Sequence, residues 1–179
     1  MRTVALIGKS GTGKTTLAQM LSEHHGYTKT SIAGPIRDIA RMAYGRFDKG
    51  MRYPQQTLGL STFVSGRELL QNIGAALREM DSLFWMRSWW TVRVANPSEL
   101  WVVDDVRLDA ERAFIEAWYP GTLFVRLVRP DGSELQPWQR DITERRAGEL
   151  DAELVLDTEA LTPVECLAAV LEAAREEQA

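Results

Sequence analysis

Apolar residues in this chain come in two rhythms, short unbroken runs and longer stretches of helical period, and the two alternate from end to end. Thr3 to Ile7 is a short apolar run that meets Gly8 directly, the pattern of a buried parallel strand. From Lys14 to His25 the apolar positions Leu17, Ala18 and Leu21 fall at helical spacing, with Gly26 as a stop. Tyr27 to Ile32 reads as a second strand, and Pro35 opens a helix to about Tyr44. Arg46 to Phe63 is rich in Gly, Pro and polar residues without clear period, which predicts a loop or insert. Ser65 caps a helix from Gly66 to Met80, and a further helical stretch from Ser82 to Val94 ends at Asn96-Pro97-Ser98. Leu100 to Val103 is the next buried strand and ends in Asp104-Asp105. A helix over Asp109 to Trp118, a turn at Pro120-Gly121 and a strand over Thr122 to Val128 follow. Arg129 to Leu150 is charged and broken by Pro130, Gly132, Pro137 and Gly148. Leu154 to Leu156 reads as a last strand, and Thr162-Pro163 starts a C-terminal helix. This alternation predicts an α/β chain with a parallel sheet and helices on both faces.

One motif stands out against that pattern. Gly8 to Thr15 reads G-x-x-x-x-G-K-T between a predicted strand and a predicted helix, the context a phosphate-binding loop requires. The glycines let the backbone curl so that N–H groups point at phosphate oxygens, and the helix start adds favourable potential for an anion. Gly8, Ser10, Gly11, Thr12, Gly13, Lys14, Thr15 and Thr16 are the expected ATP-binding residues. Lys14 would reach the β- and γ-phosphates, and the Thr15 hydroxyl would ligate magnesium. The Asp pair is the second acidic element: a carboxylate at the end of a neighbouring strand can hold the metal, directly or through water. In regular strand geometry Asp104 and Asp105 point to opposite faces, so that only one, with Asp104 as the candidate, serves the metal. A turn-forming role for the pair is the alternative.

The Gly66 helix carries a polar face of unusual content. At 100° per residue, with Arg67 at zero, Gln71 falls near 40°, Gly74 near −20° and Arg78 near 20°. Leu69, Leu70, Ile73, Leu77 and Met80 occupy the opposite arc. Two guanidinium forks suit a phosphate, a Gln amide suits the edge of a nucleobase, and Gly74 leaves room for a ring. A plain solvated face remains the other reading. For Trp85, Trp89 and Trp90, packing between helices is favoured over base stacking, and Trp101 reads as core.

Composition narrows the setting. The chain has 179 residues, enough for one domain with a real core, and 45% of them are hydrophobic. Its net charge of −4 argues against a protein that coats nucleic acid. The cations are nearly all arginine, with four lysines at positions 9, 14, 29 and 49. The one cysteine, Cys166, excludes an internal disulfide, and the two histidines, His24 and His25, are adjacent and make no metal cluster. No apolar run reaches the length of a membrane span, and no leader stands at Met1, so the cytoplasm is expected.

Taken in order, several blocks resemble the bacteriophage deoxynucleoside monophosphate kinases. They are the phosphate loop, Ala33-Gly34-Pro35-Ile36-Arg37, Arg67-Glu68-Leu69-Leu70-Gln71-Asn72-Ile73-Gly74, Phe84-Trp85, Val103-Asp104-Asp105-Val106-Arg107 with Glu111, and Val125-Arg126-Leu127-Val128-Arg129-Pro130. The resemblance implies a three-layer α/β/α P-loop NTPase fold with about five parallel strands. It divides the single domain into a core (1–32, 98–128, 151–179), a helical monophosphate-binding part (33–97) and an Arg-rich lid (129–150). Around the acceptor it implies Ser31, Arg37, Arg67, Gln71, Arg78, Asp105 and Arg107. It assigns catalysis to Lys14, Arg129 and Arg140, and metal binding to Thr15 and Asp104. Two blocks depart from the family: Gly74-Ala75-Ala76 replaces Gly-Thr-Glu, and Asp141-Ile142-Thr143-Glu144 replaces His-x-Ser-Glu.

The implied reaction is Mg2+-dependent phosphorylation of deoxynucleoside 5'-monophosphates by ATP, for phage DNA-precursor synthesis in the cytoplasm of an infected host. Two rivals stay open: a kinase of the same fold acting on a modified base in DNA, such as 5-hydroxymethyluracil, and a nucleotide-binding protein without catalysis. The sequence holds no Asn-Lys-x-Asp guanine reader, and it keeps both Lys14 and Thr15. Whether the chain forms a homodimer is left open.

Overall fold

The computed structural model describes residues 1–57, 60–95, 100–129 and 146–175. The chain divides into two compact units, one of Met1–Ser31 with Arg93–Ala179 and one of Ile32–Val92.

The first unit is built on a parallel sheet of five strands: β1 (Val4–Ile7), β2 (Thr28–Thr30), β5 (Trp101–Val106), β6 (Leu123–Val128) and β7 (Leu154–Asp157). Their order is β2-β5-β1-β6-β7, which puts the strand feeding the phosphate loop at the centre. Its helices are α1 (Lys14–His25), α5 (Asp109–Trp118) and α6 (Pro163–Ala173). Val4 and Leu6 of β1, Val102 of β5 and Leu123, Val125 and Leu127 of β6 share one core with Leu17, Ala18 and Leu21 of α1 and Leu167, Val170 and Leu171 of α6. The alternate residues face the other way, where the Arg112 guanidinium of α5 lies 4.5 Å from the Phe124 ring centre and Trp101 meets Tyr119 edge-on. Helices thus cover both sides of the sheet, the three layers expected of an α/β chain with continuous apolar strands.

The second unit holds α2 (Gly34–Tyr44), the antiparallel pair β3 (Arg52–Thr57) and β4 (Leu60–Ser65), α3 (Gly66–Met80) and most of α4 (Phe84–Ala95). The hairpin corrects the sequence expectation of a loop over Arg46 to Phe63, since Arg52 pairs with Ser65 and the ladder continues to Thr57 and Leu60. Its segment lacks alternation because it is held by one aromatic anchor rather than by an apolar face. Tyr53 is buried, stacks on Phe47, meets Tyr44 edge-on, and its hydroxyl accepts from the Asp48 N–H at 2.6 Å. Pro54 is tolerated because a two-stranded ladder has an outer edge that needs no N–H donor. The core reading of Trp85, Trp89 and Trp101 agrees with their burial. Met80, expected on the apolar arc of α3, is 81% exposed, because it is the last residue of the helix and lies past the packed stretch.

The starts of α3 and α6 are capped in the same way. Ser65 accepts from the Glu68 N–H while Glu68 accepts from the Ser65 N–H and hydroxyl, and Thr162 and Glu165 repeat this at the start of α6. These bonds hold the carboxyls of Glu68 and Glu165 below the usual range, through Ser65 and Thr162 respectively. A carboxyl whose folded pKa is lowered stabilises the fold above its unfolded pKa, and that contribution is lost as pH falls through the folded value. The native chain should therefore exceed Thr162→Ala in stability above about pH 5, and the gap should narrow as pH falls through and below the ordinary carboxylate range. Urea melts across that range check this; a gap that does not change with pH would contradict it.

Candidate functional site

The turn from β1 into α1 is shaped by glycine. Gly8, Gly11 and Gly13 have φ of 139°, 88° and 86°, conformations that L side chains rarely adopt. Gly8 is doubly constrained, because a Cβ there would run into the carbonyl oxygen of Leu127 on the neighbouring strand β6. Gly13 stands at the N-cap of α1 without a capping side chain, and the first turn holds no acidic residue. The helix start thus presents backbone N–H groups and the positive end of its dipole. Lys14 is buried, and its ammonium donates to the carbonyls of Gly8 at 2.7 Å and Lys9 at 2.5 Å. The Thr12 hydroxyl donates to the Lys9 carbonyl at 2.9 Å, bracing the same curl. Ser10 is half-buried, whereas Thr15 and Thr16 are exposed on the first turn of α1.

The Asp pair sits at a break in register. Ala5 pairs with Val103 and Ile7 with Val106, so Leu6 alone stands opposite both Asp104 and Asp105. This is a β-bulge, and it changes which way the carboxylates point. Ala5 and Ile7 face away from α1, since Val4 and Leu6 belong to the α1 core. Their partners Val103 and Val106 face the same way as they do. Asp104, next to Val103, and Asp105, next to Val106, therefore both turn to the α1 side of the sheet. The expectation that the two point to opposite faces assumed unbroken strand geometry, and the extra residue removes that assumption. Both carboxylates are tied to β2 and its exit: Lys29 lies 3.5 Å from Asp104, and the Ser31 hydroxyl donates to Asp105 at 2.5 Å.

This set of donors fits magnesium. A threonine hydroxyl and carboxylate oxygens are the hard ligands that ion takes, one or two from protein and the rest from phosphates and water. Among the described residues no group of three or more His, Cys, Asp or Glu gathers into a cluster.

Downstream, Arg107 is half-buried at the end of β5, and the buried Glu111 carboxylate accepts from its N–H at 2.8 Å and from that of Leu108 at 3.2 Å. Glu111 thus closes the start of α5, a role its place in the motif did not announce. Arg126 on β6 donates through one Nη to the carbonyls of Gly148 at 3.1 Å and Leu150 at 3.4 Å, while its buried Nε meets no partner. Arg129 is exposed just beyond β6. Arg140, Arg145 and the Asp141–Glu144 block lie outside the described residues, with most of the expected lid.

In the second unit, α3 carries Arg67, Gln71 and Arg78, all half-buried, and Arg37 lies half-buried on α2. The space beside Gly74 is not open. A Cβ there would lie 3.4 Å from Ile36 Cδ1 and 3.5 Å from an Arg78 Nη, ordinary contact distances, so Ile36 of α2 and the Arg78 guanidinium border the space. The Gly74 carbonyl also accepts from the Trp85 indole N–H at 2.9 Å, which ties α4 to this turn of α3. Sequence reasoning did not single out Lys29, Trp85 as an anchor, or Glu111 as a cap. For Lys29 there was a signal, since it is one of four lysines and stands two residues before Ser31.

A central parallel sheet whose first strand leads through a G-x-x-x-x-G-K-T loop into a helix, with carboxylates on an adjacent strand, defines a P-loop NTPase. The sequence matches the ABC transporter family model over residues 1–116, and the chain belongs to that family of P-loop proteins. No curated protein matches the sequence. Among solved structures, the chain is similar to a sugar kinase from Janibacter sp. HTCC2649, with 18% identity, a TM-score of 0.52, and coverage of 96% of this chain and 93% of that one. A structure from Chloroflexus aurantiacus j-10-fl described as a kinase is similar at 14% identity and a TM-score of 0.52, over 96% of this chain and 97% of that one. The chain therefore shares the fold of these structures. Among the described residues no helix is long and apolar enough to cross a membrane.

Substituting Gly8→Ala should lower ATP affinity about tenfold or more, because the left-handed backbone and the Leu127 carbonyl both resist a Cβ. Isothermal titration with ATP and Mg2+ measures it, and native affinity in a folded variant would contradict this reading of the loop.

Proposed function

We propose that this chain transfers the γ-phosphoryl group of ATP to the phosphate of a nucleoside monophosphate, with deoxynucleoside 5'-monophosphates as the acceptor class. What carries the choice of acceptor is the face of α3, where Arg67, Gln71 and Arg78 follow one another at helical spacing. Two guanidiniums supply bidentate contact to a phosphate, and the amide both donates and accepts along a base edge. The resemblance to bacteriophage deoxynucleoside monophosphate kinases supports the same acceptor, and a role in DNA-precursor synthesis follows from it.

In this reading the loop N–H groups and Lys14 hold the β- and γ-phosphates. Thr15 and the carboxylate pair hold magnesium, which supplies neutralisation of phosphate charge when bound. An oxygen of the acceptor phosphate attacks the γ-phosphorus, the bond to the β-phosphate oxygen breaks, and ADP and a nucleoside diphosphate leave. The acceptor oxygen is already anionic, so no general base is required and the work is alignment. Arg37 and Arg107 are assigned to the acceptor, and Arg129 and Arg140 to charge on the transferring group; Asp105, which the resemblance puts at the acceptor, is here assigned with Asp104 to the metal because of the register break in β5.

A second reading has one observation in its favour. Two carboxylates on the α1 side of β5 exceed what a single metal ligand needs, and a hydroxyl acceptor requires a base. A hydroxymethyl group on a base in DNA is such an acceptor.

Incubation with Mg2+, ATP and each ribo- and deoxynucleoside monophosphate should give a diphosphate with at least one acceptor. Lys14→Ala should cut the rate roughly a hundredfold or more, and Arg67→Ala should raise acceptor KM about tenfold while ATP binding stays near native. Transfer to hydroxymethylated duplex DNA alone would establish the second reading. ATP binding without transfer to any acceptor would overturn both.

A further inference from the structure

The bulge in β5 creates an electrostatic problem that the resting protein must solve. It turns two adjacent carboxylates to one side of the sheet, each half-buried, where like charges repel and water screens them incompletely. Ser31 answers one of them with a neutral hydroxyl. Lys29 answers the other with a full positive charge, and the two side chains of that ion pair are only 26% and 11% exposed. Its position follows from register: Lys29 is paired with Val102, which belongs to the α1 core, so Lys29 leaves β2 on the face to which the carboxylates turn.

We infer that Lys29 is the resident counter-ion of the carboxylate pair, a positioning residue that keeps free divalent metal out so that the metal enters only together with ATP. This rests on the reading that the pair serves magnesium. An exposed Thr15 and two carboxylates turned to the same side make a weak site for any divalent ion in its surroundings. With the ammonium 3.5 Å from Asp104, metal must displace a cation already in place. Free Mg2+ brings no other gain at that point. Mg2+ on ATP brings the phosphates with it, and their contacts to the loop and Lys14 offset the displacement. Once released, the Lys29 ammonium remains beside an anionic site and is itself able to follow the phosphate charge.

The test needs neither nucleotide nor acceptor, so its failure is distinguishable from failure of the proposed reaction. The native chain, Lys29→Met and Lys29→Arg are melted with and without MgCl2, with NaCl matching ionic strength. The native midpoint should not respond to Mg2+. Lys29→Met should melt lower without metal and gain roughly 3–6 °C at tenfold excess of Mg2+ over its Kd. Lys29→Arg should restore the insensitivity, and Asp104→Asn added to Lys29→Met should abolish the gain. Direct binding of Mn2+ alone to the native chain, followed by its electron paramagnetic resonance signal, needs no variant to fold. No uptake of Mn2+ without ATP, and uptake with ATP, is the expected result. Native uptake of Mn2+ alone as tight as that of Lys29→Met, or equal Mg2+ responses in native and Lys29→Met chains, would overturn the proposal.

Discussion

The site depends on a single extra residue. Between the pairs Ala5–Val103 and Ile7–Val106, strand β1 spends one residue and β5 spends two, and everything acidic in the site follows from that mismatch. Without it, strand alternation would turn one carboxylate toward α1 and bury the other under α5. With it, both carboxylates share the side of the sheet on which α1 carries Thr15. The pairing of β2 with β5 runs only as far as Thr30 and Val103, so the extra residue falls where β5 has β1 alone as its ladder partner.

A second close approach, between Gly8 and the Leu127 carbonyl, sets where the loop leaves the sheet. Here β6 does for the phosphate loop what β2 does for the carboxylates: the outer neighbour on each side of the β1–β5 pair fixes one half of the chemistry. The loop then folds onto its own lysine. Lys14 is buried, and its ammonium donates to the carbonyls of Gly8 and Lys9, which holds its charge at the helix start. On the opposite wall, Lys29 meets Asp104. Two of the four lysines thus stand on the α1 side, Lys14 bonded to loop carbonyls and Lys29 set against Asp104.

Much of this was legible in the sequence, for identifiable reasons. The phosphate loop was readable because its constraint is local: three glycines at positive φ and a lysine one helical residue later leave no other arrangement. The sheet was readable because strands buried on both faces are unbroken apolar runs separated by helices of crossover length, whereas its order was not. The hairpin over Arg52 to Ser65 was not, because one buried tyrosine and aromatic contacts hold it rather than a repeating pattern. The bulge was not, because register belongs to two strands far apart in the chain and no residue type marks it. Pairing partners such as Ser31 with Asp105 and Lys29 with Asp104 are set by the same long-range register.

The central claim is that both carboxylates belong to the nucleotide–metal site. The most direct measurement is the ATP affinity of Asp104→Asn and Asp105→Asn, titrated with and without Mg2+. If the bulge turns both toward α1, each variant alone should lose much of the tightening that Mg2+ gives, about tenfold, while metal-free ATP affinity stays near native. If one of the two variants keeps the full Mg2+ effect, that carboxylate is not in the site, and the account of the bulge is wrong.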